Sequence, residues 1–87
     1  MSRRPRQRPD YAEVYNLDVR YRLNLRRIRA SMVELAFSVN ELAETAHVHR
    51  STISRLLAGR GASISMLAAI LAPLGLVPGD VLEELSP

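Results

Sequence analysis

The sequence predicts an all-α fold, a compact bundle of five helices that follows a flexible basic arm. Its 87 residues suffice for one domain with one modest core. Hydrophobic residues make up 47% of the chain and aromatic residues only 5%, so small aliphatic side chains must pack the core, as they do between short helices. Apolar residues recur at steps of three and four, and we find no alternating apolar–polar segment that would indicate a strand. The expected boundaries are 1–9 for the arm and 10–87 for the folded domain.

The arm is distinguished by its charge. All twelve basic residues of the chain are Arg, and four of them, Arg3, Arg4, Arg6 and Arg8, lie in this acid-free segment. The rest of the chain has eight Arg against nine acids, so the net charge of +3 originates in the arm. A polar, basic and proline-containing segment is expected to be disordered on its own. The stretch 45–79 also lacks acids and can carry a local electrostatic footprint for nucleic acid.

The first helical region is expected between residues 10 and 35. Asp10 and Glu13 have the spacing of a capping box. Asn16 and Asp18 could cap a restart, so one long helix and two shorter helices remain alternatives. The apolar positions that define the helical stripe are Val14, Leu17, Tyr21, Leu25, Ile28, Met32 and Leu35.

Two short helices should follow. Ser38 and Glu41 form a second capping-box pair, which predicts a helix over Val39–Ala46. After a tight connection the next helix begins at His49 or Arg50 and covers about Arg50–Leu57, and Gly59 is expected to end it as a C-cap.

The fourth helix begins after Ser63 as N-cap, has Pro73 in its last turn and stops at Gly75. Pro78 suits the first turn of a fifth, short helix. The apolar residues of this last helix are Val81, Leu82 and Leu85.

The helix at 50–57 has two different faces. At about 100° per residue, Ile53, Leu56 and Leu57 fall on one side. A solvated face usually mixes both charge signs, whereas the opposite side of this helix carries two long donors, two short hydroxyls and no acid. Small side chains beside Arg let a helix approach a DNA groove closely while Arg reaches base edges or phosphates. The residues of this polar face are Arg50, Ser51, Ser54 and Arg55.

The segment Ser38–Gly59 resembles the helix-turn-helix of the Cro/lambda-repressor (Xre-type) family. Ala43 matches the small residue at which the two helices of that motif cross. The resemblance implies a lambda-repressor-like five-helix domain, with the helices after Ser63 completing it. The buried apolar positions of the family pattern are matched by Leu42, Ala46, Val48, Ile53 and Leu56.

Two positions depart from that pattern. His47 stands at the turn position usually held by Gly, and would have to adopt a left-handed conformation. Val39 stands where the family often has a Gln that touches phosphate, so Asn40 would have to take over that contact.

The resemblance assigns roles to the polar residues of the motif. Those expected to contact bases are Arg50, Ser51 and Arg55. Those expected to contact the DNA backbone are Asn40, His49, Thr52, Ser54 and Arg60. The resemblance also implies that Arg3, Arg4, Arg6 and Arg8 form an arm that embraces DNA.

The expected function is therefore that of a sequence-specific regulator of transcription that binds double-stranded DNA. The absence of a second domain favours a stand-alone, Cro-like repressor, with a phage origin as one possibility. The alternative is a protein-interaction module of the same fold, an antitoxin or adaptor, using Leu82 and Leu85 or Tyr11 and Tyr15 as its surface. A weak homodimer through the last helix is also expected.

Other function classes find no support in the residues. Ser51 and Ser54 lack a nucleophile context and an orienting acid, so we expect no enzyme activity. His47 and His49 lack a third ligand for zinc, so no metal or other cofactor is expected. Neither a membrane nor a small molecule is expected as a partner. The chain lacks cysteine, which fits a cytoplasmic, nucleoid-associated protein of a bacterium or a phage-infected cell.

Overall fold

A computed structural model describes residues 8–85, which form three strands and five α-helices. In chain order these are β1 (Tyr11–Asn16), β2 (Val19–Asn24), α1 (Leu25–Glu34), α2 (Val39–Ala46), α3 (Arg50–Leu57), α4 (Ile64–Leu71), α5 (Pro78–Val81) and β3 (Leu82–Glu84), with a 3₁₀ turn, Ala72–Leu74, after α4. The strands form an antiparallel sheet in the order β1-β2-β3. The prediction of an all-α five-helix bundle is therefore wrong, and the fold is mixed.

A β-hairpin replaces the first half of the helical region expected over 10–35. β1 and β2 pair in register up to Asn16 opposite Val19. The two residues between them, Leu17 and Asp18, have φ of 51° and 65°. Positive φ at both loop positions is the geometry of a type I′ turn, whose twist matches that of the flanking strands. Neither alternative for this region, one long helix or two shorter ones, is correct.

The expected capping box at the start of that region does not form. The carbonyl of Asp10 instead accepts a hydrogen bond from the amide of Leu25 at 2.9 Å, which extends the ladder of the hairpin. Glu13 points away from the core and lies 3.4 Å from Arg20 as an ion pair. The expectation that the sequence has no alternating segment is wrong, because residues 19–25 alternate apolar and polar side chains, which is the period-two pattern of a strand.

The motif helices form where the sequence predicts them. α2 and α3 have the predicted bounds, and α4 begins after Ser63, whose hydroxyl accepts from the amide of Met66 at 3.2 Å. Gly75 stops the 3₁₀ turn with φ of 71°, as its expected role as a helix stop requires.

The chain does not end in the helix that was expected after Pro78. α5 ends at Val81, and the next residues form β3, in which Leu82 lies opposite Leu23 of β2. Leu82 is half-buried and packs against the core. The expectation that Leu82 and Leu85 lie on a C-terminal helix is therefore wrong, because both residues follow α5; the homodimer expected through that helix stays a prediction.

The core joins the sheet to the helices. Val14 of β1 and Leu23 of β2 are almost fully buried in it. Because fully burying a Leu or Val side chain stabilises a fold by about 1.5–3 kcal/mol, these residues make the sheet an integral part of the domain. None of the helices in residues 8–85 is long and apolar enough to cross a membrane. The side chains that are almost fully buried are Val14, Leu23, Leu25, Ile28, Leu42, Ile53, Leu56, Leu67, Ile70 and Leu71.

Candidate nucleic-acid interface

The two faces of α3 differ as its sequence predicts. Ile53 and Leu56 are 0% and 1% exposed and anchor the helix in the core. Arg50, Ser54 and Arg55 are exposed on the other side. Ser51 and Thr52 are half-buried. Because the anchor residues are apolar and rigidly packed, the polar face is held in a fixed orientation to the rest of the domain.

The turn before α3 is closed by an unusual residue. His47 has φ of 60° and ψ of 41°, the left-handed conformation that its position was expected to require. The amide of Val48 donates to the carbonyl of Ala43 at 3.0 Å, and the amide of His47 donates to that of Glu44 at 3.3 Å. This pair of bonds is a Schellman motif, in which glycine is the usual left-handed residue. The turn therefore fixes the orientation of α2 relative to α3, and the left-handed conformation of His47 adds some backbone strain.

His49 is the N-cap of α3. Its Nδ1 accepts a hydrogen bond from the amide of Ser51 at 3.1 Å and lies 2.8 Å from the hydroxyl oxygen of the same residue. The hydroxyl oxygen of Ser51 accepts a bond from Nη2 of Arg55 at 3.3 Å. Three of the residues expected to touch DNA are thus linked in one chain along the exposed face of α3.

The start of α2 lies on the same motif and carries a complete capping box. The Ser38 hydroxyl accepts from the Glu41 amide, and a Glu41 carboxylate oxygen accepts from the Ser38 amide, both at 3.1 Å. The pKa of Glu41 is lowered, most strongly by a hydrogen bond with the side chain of Ser38 and less strongly by one with its backbone. Asn40 is exposed in this first turn, and Val39 is half-buried. The amide side chain of Asn40 is thus accessible at the surface, as the expected contact with the DNA backbone would require.

The loop after α3 brings Arg60 beside the helix. Gly59 has φ of 94°, its amide donates to Leu56, and the amide of Arg60 donates to the Arg55 carbonyl at 3.1 Å. These bonds form a second Schellman motif, and they confirm Gly59 as the expected end of the helix. A groove of about 430 Å³ follows, with both arginines on its border. Its lining residues are Thr52, Arg55, Arg60, Gly61, Ala62, Ser63 and Met66.

The root of the arm, the dipeptide Arg8-Pro9, lies on the side of α3 away from the groove that Arg60 borders. Arg8 is exposed and borders a groove of about 620 Å³ together with Pro9 and Arg29. The groove is also lined by Val39, Ser54, Leu57 and Ala58. Of the four arginines assigned to the arm, Arg3, Arg4 and Arg6 lie outside the described residues.

The site contains residues that the sequence pattern did not single out. Arg29 contacts the root of the arm, and Gly61 lies so close to β1 that a Cβ on it would be 3.0 Å from the Glu13 carbonyl oxygen. The Arg29 contact lies directly before β1 and the Gly61 contact lies on it, in a region for which the sequence pattern predicted the arm and the start of a helix. The alternation in 19–25 was the signal that could have revealed them.

The sequence was found to match a known family of domains. A family model described as a helix-turn-helix domain, a family of DNA-binding domains, covers residues 20–85, from β2 to the end of the described chain. No curated protein and no solved structure matches the sequence.

Proposed function

The chain belongs to the helix-turn-helix domain family, and from this premise we propose that it is a sequence-specific regulator of transcription that places α3 in the major groove of double-stranded DNA. We further propose that it acts as a Cro-like repressor, by occupying its site. The likeness of Ser38–Gly59 to the Cro/lambda-repressor motif supports that finer assignment.

One observation carries the proposal. The exposed face of α3 presents two guanidinium groups and short hydroxyl side chains, and the chain has no acid from 45 to 79. DNA carries about one negative charge per 1.7 Å of its axis, so an acidic side chain near this face would repel DNA of any sequence. An ordinary solvated helix would tolerate acids there.

The chain of contacts on α3 supports a division of roles. Arg50 and Arg55 are long enough to reach base edges, and Arg is the side chain best suited to the two acceptors of guanine. In the free protein, Arg55 donates a hydrogen bond to the Ser51 hydroxyl. Base contact by Arg55 would release that hydroxyl, which could then bind a neighbouring base or phosphate. Ser51, Arg50 and Arg55 are therefore the proposed base-reading residues.

The residues around this face are proposed to hold the DNA backbone. Arg60 borders a groove beside Arg55, so a phosphate placed there would meet two positive charges. The arm is proposed to bind phosphates on the far side of α3, because Arg8 and Ser54 line the same groove. The other proposed backbone contacts are those of Asn40, His49, Thr52 and Ser54.

A protein-interaction module, an antitoxin or adaptor, is the second candidate. The observation that favours it is the exposure of Tyr15 (64%) and Leu17 (88%) on the hairpin. Leu82 and Leu85, the other residues proposed for such a surface, are half-buried and less available. A DNA regulator should bind random duplex at low salt, whereas an adaptor should bind it hardly at all.

The experiment that tests the proposal is selection of bound duplexes from a random pool. The account predicts a shared sequence whose affinity exceeds that of random duplex by about 10³-fold or more, the lower bound usual for specific sites. Symmetry within the selected sequence would also report whether two copies bind together. Recovery of unrelated sequences, all bound equally, would overturn sequence-specific recognition.

A further inference from the structure

Arg29 of α1 is bonded to the root of the arm, the dipeptide Arg8-Pro9. Its Nη2 donates to the carbonyl oxygen of Pro9 at 2.8 Å, and the same atom lies 3.7 Å from a carboxylate oxygen of Asp10. The Arg29 side chain is only 18% exposed. A charge-assisted hydrogen bond in such a sheltered place is stronger than one at the open surface.

Pro9 is also held from the side of α3. A Cβ on Gly59 would lie 3.3 Å from Cγ of Pro9, so the proline ring packs directly on the turn that ends the helix. The next residue, Asp10, is fixed through its carbonyl by the amide of Leu25. Pro9 and Asp10 are thus held by α1, by the end of α3 and by the start of the hairpin.

We propose that Arg29 is a positioning residue, which fixes the direction in which the arm leaves the fold so that its cations meet the same duplex that α3 reads. This inference rests on the proposed function, since it needs the arm to contact DNA. The arm is short: from Arg8 to Arg3 a fully extended chain spans at most about 18 Å. The major groove alone is about 12 Å wide. An arm of this length reaches phosphates across one groove only if its root lies beside the reading helix.

The anchor also reduces the entropy that binding must remove. A segment tethered at a fixed point next to its target binds at a high effective concentration, and this advantage falls when the tether is loosened. Loosening the Pro9 contact should therefore weaken the arm's share of DNA binding and leave the reading helix untouched.

A four-protein comparison tests this inference in the full chain. The proteins are the natural sequence, R29M, an arm-neutral variant with Arg3, Arg4, Arg6 and Arg8 each replaced by Gln, and the combination of both. Met keeps the aliphatic stem in place and removes every donor. R27M, which removes one exposed Arg of the same helix, is the matched control for charge. Each protein is titrated with salt on one selected duplex, and its fold is checked by circular dichroism.

The arm-neutral variant should make the slope of log affinity against log salt shallower by about 2–3 units, since each phosphate that is neutralised contributes about 0.9 to that slope. R29M should remove at least one unit of the slope in the natural sequence, more than R27M does, and should change nothing in the arm-neutral background. An equal effect of R29M in both backgrounds would overturn the inference and make Arg29 a direct phosphate contact. An effect of the arm variant without any effect of R29M would also overturn it. Unchanged binding by the arm-neutral variant would instead refute the proposed role of the arm.

Discussion

Nδ1 of His49 lies 3.1 Å from the amide nitrogen of Ser51 and accepts its hydrogen bond, so a residue on the candidate DNA-binding surface also caps the helix that would read the DNA. An N-cap satisfies one of the amides that a helix leaves unpaired at its start. To accept this bond, Nδ1 must be unprotonated, and the ring proton then lies on Nε2. Nε2 therefore carries the ring's N–H donor, and this is the donor that we propose for the backbone contact of His49.

The cap predicts a difference between two substitutions of His49. His49→Ala should lower the free energy of unfolding by about 1 kcal/mol, the usual cost of losing an N-cap, whereas His49→Asn supplies another capping acceptor and should cost less. Urea unfolding measures both. Equal stability of the Ala variant and the natural protein would show that the imidazole does not cap α3.

A second prediction concerns the contact between the loop after α3 and strand β1. Gly61→Ala places a Cβ 3.0 Å from the carbonyl oxygen of Glu13, and should cost about 1–2 kcal/mol of stability through overpacking. Gly79→Ala is the matched control, because nothing lies within 4 Å of its Cβ. That control should be neutral or slightly stabilising, since Ala restricts the unfolded chain. Equal melting temperatures for the two variants would contradict the packing of β1 against this loop.

The capping box of α2 makes part of the stability depend on pH. The pKa of Glu41 is lowered in the folded protein, so its contribution is present above the ordinary pKa of a glutamate and is lost as the pH falls through the folded value. Glu41→Gln keeps a capping oxygen without a titrating proton, and its stability should fall less in that acid range. Glu44→Gln leaves the cap intact and should behave like the natural protein. Parallel curves for the Glu41 variant and the natural protein, measured by urea unfolding across the acid range up to neutral pH, would contradict this role.

The position of Leu82 in the sheet predicts the effect of a charge there. Leu82→Asp places a carboxylate against the core beside Leu23, and should lower the free energy of unfolding by about 1–3 kcal/mol. Leu17→Asp makes the same chemical change at an 88% exposed turn position with positive φ, where Asp is tolerated, and should cost little. Thermal unfolding measures the loss of stability, and sedimentation measures whether self-association is lost. A stable Leu82 variant that had merely lost self-association would support a C-terminal dimer interface.

The helix-turn-helix segment could be predicted from the sequence because its signals are local. The capping pair Ser38 and Glu41, the left-handed residue His47 and the terminating Gly59 all lie within a few residues of the bonds that they make. The amphipathic pattern of α3 then determined which face is buried. These residues hold the candidate site, so the exposure of Arg50, Ser54 and Arg55 on α3 could be predicted, whereas their contacts with DNA stay a prediction.

The hairpin was missed because two periods fit the same residues. Val14, Tyr21 and Leu25 satisfy steps of three and four as well as a strand pattern. The choice between them depends on pairing that is distant in sequence, since β2 also pairs with β3 at the far end of the chain. The turn gave little help, because Leu17 is a poor residue for a position with positive φ.

The central claim, that α3 reads DNA in the major groove, is tested most directly with Arg50→Ala. Kd is measured for the natural protein and the variant on the best selected duplex and on random duplex. The account predicts a loss of about 1–3 kcal/mol on the best site, a relaxed preference at one base pair and a smaller loss on random DNA. Arg26→Ala, which removes an exposed Arg from α1, controls for charge. An equal loss on both duplexes would make Arg50 a phosphate contact. Unchanged affinity and unchanged base preference would contradict the account.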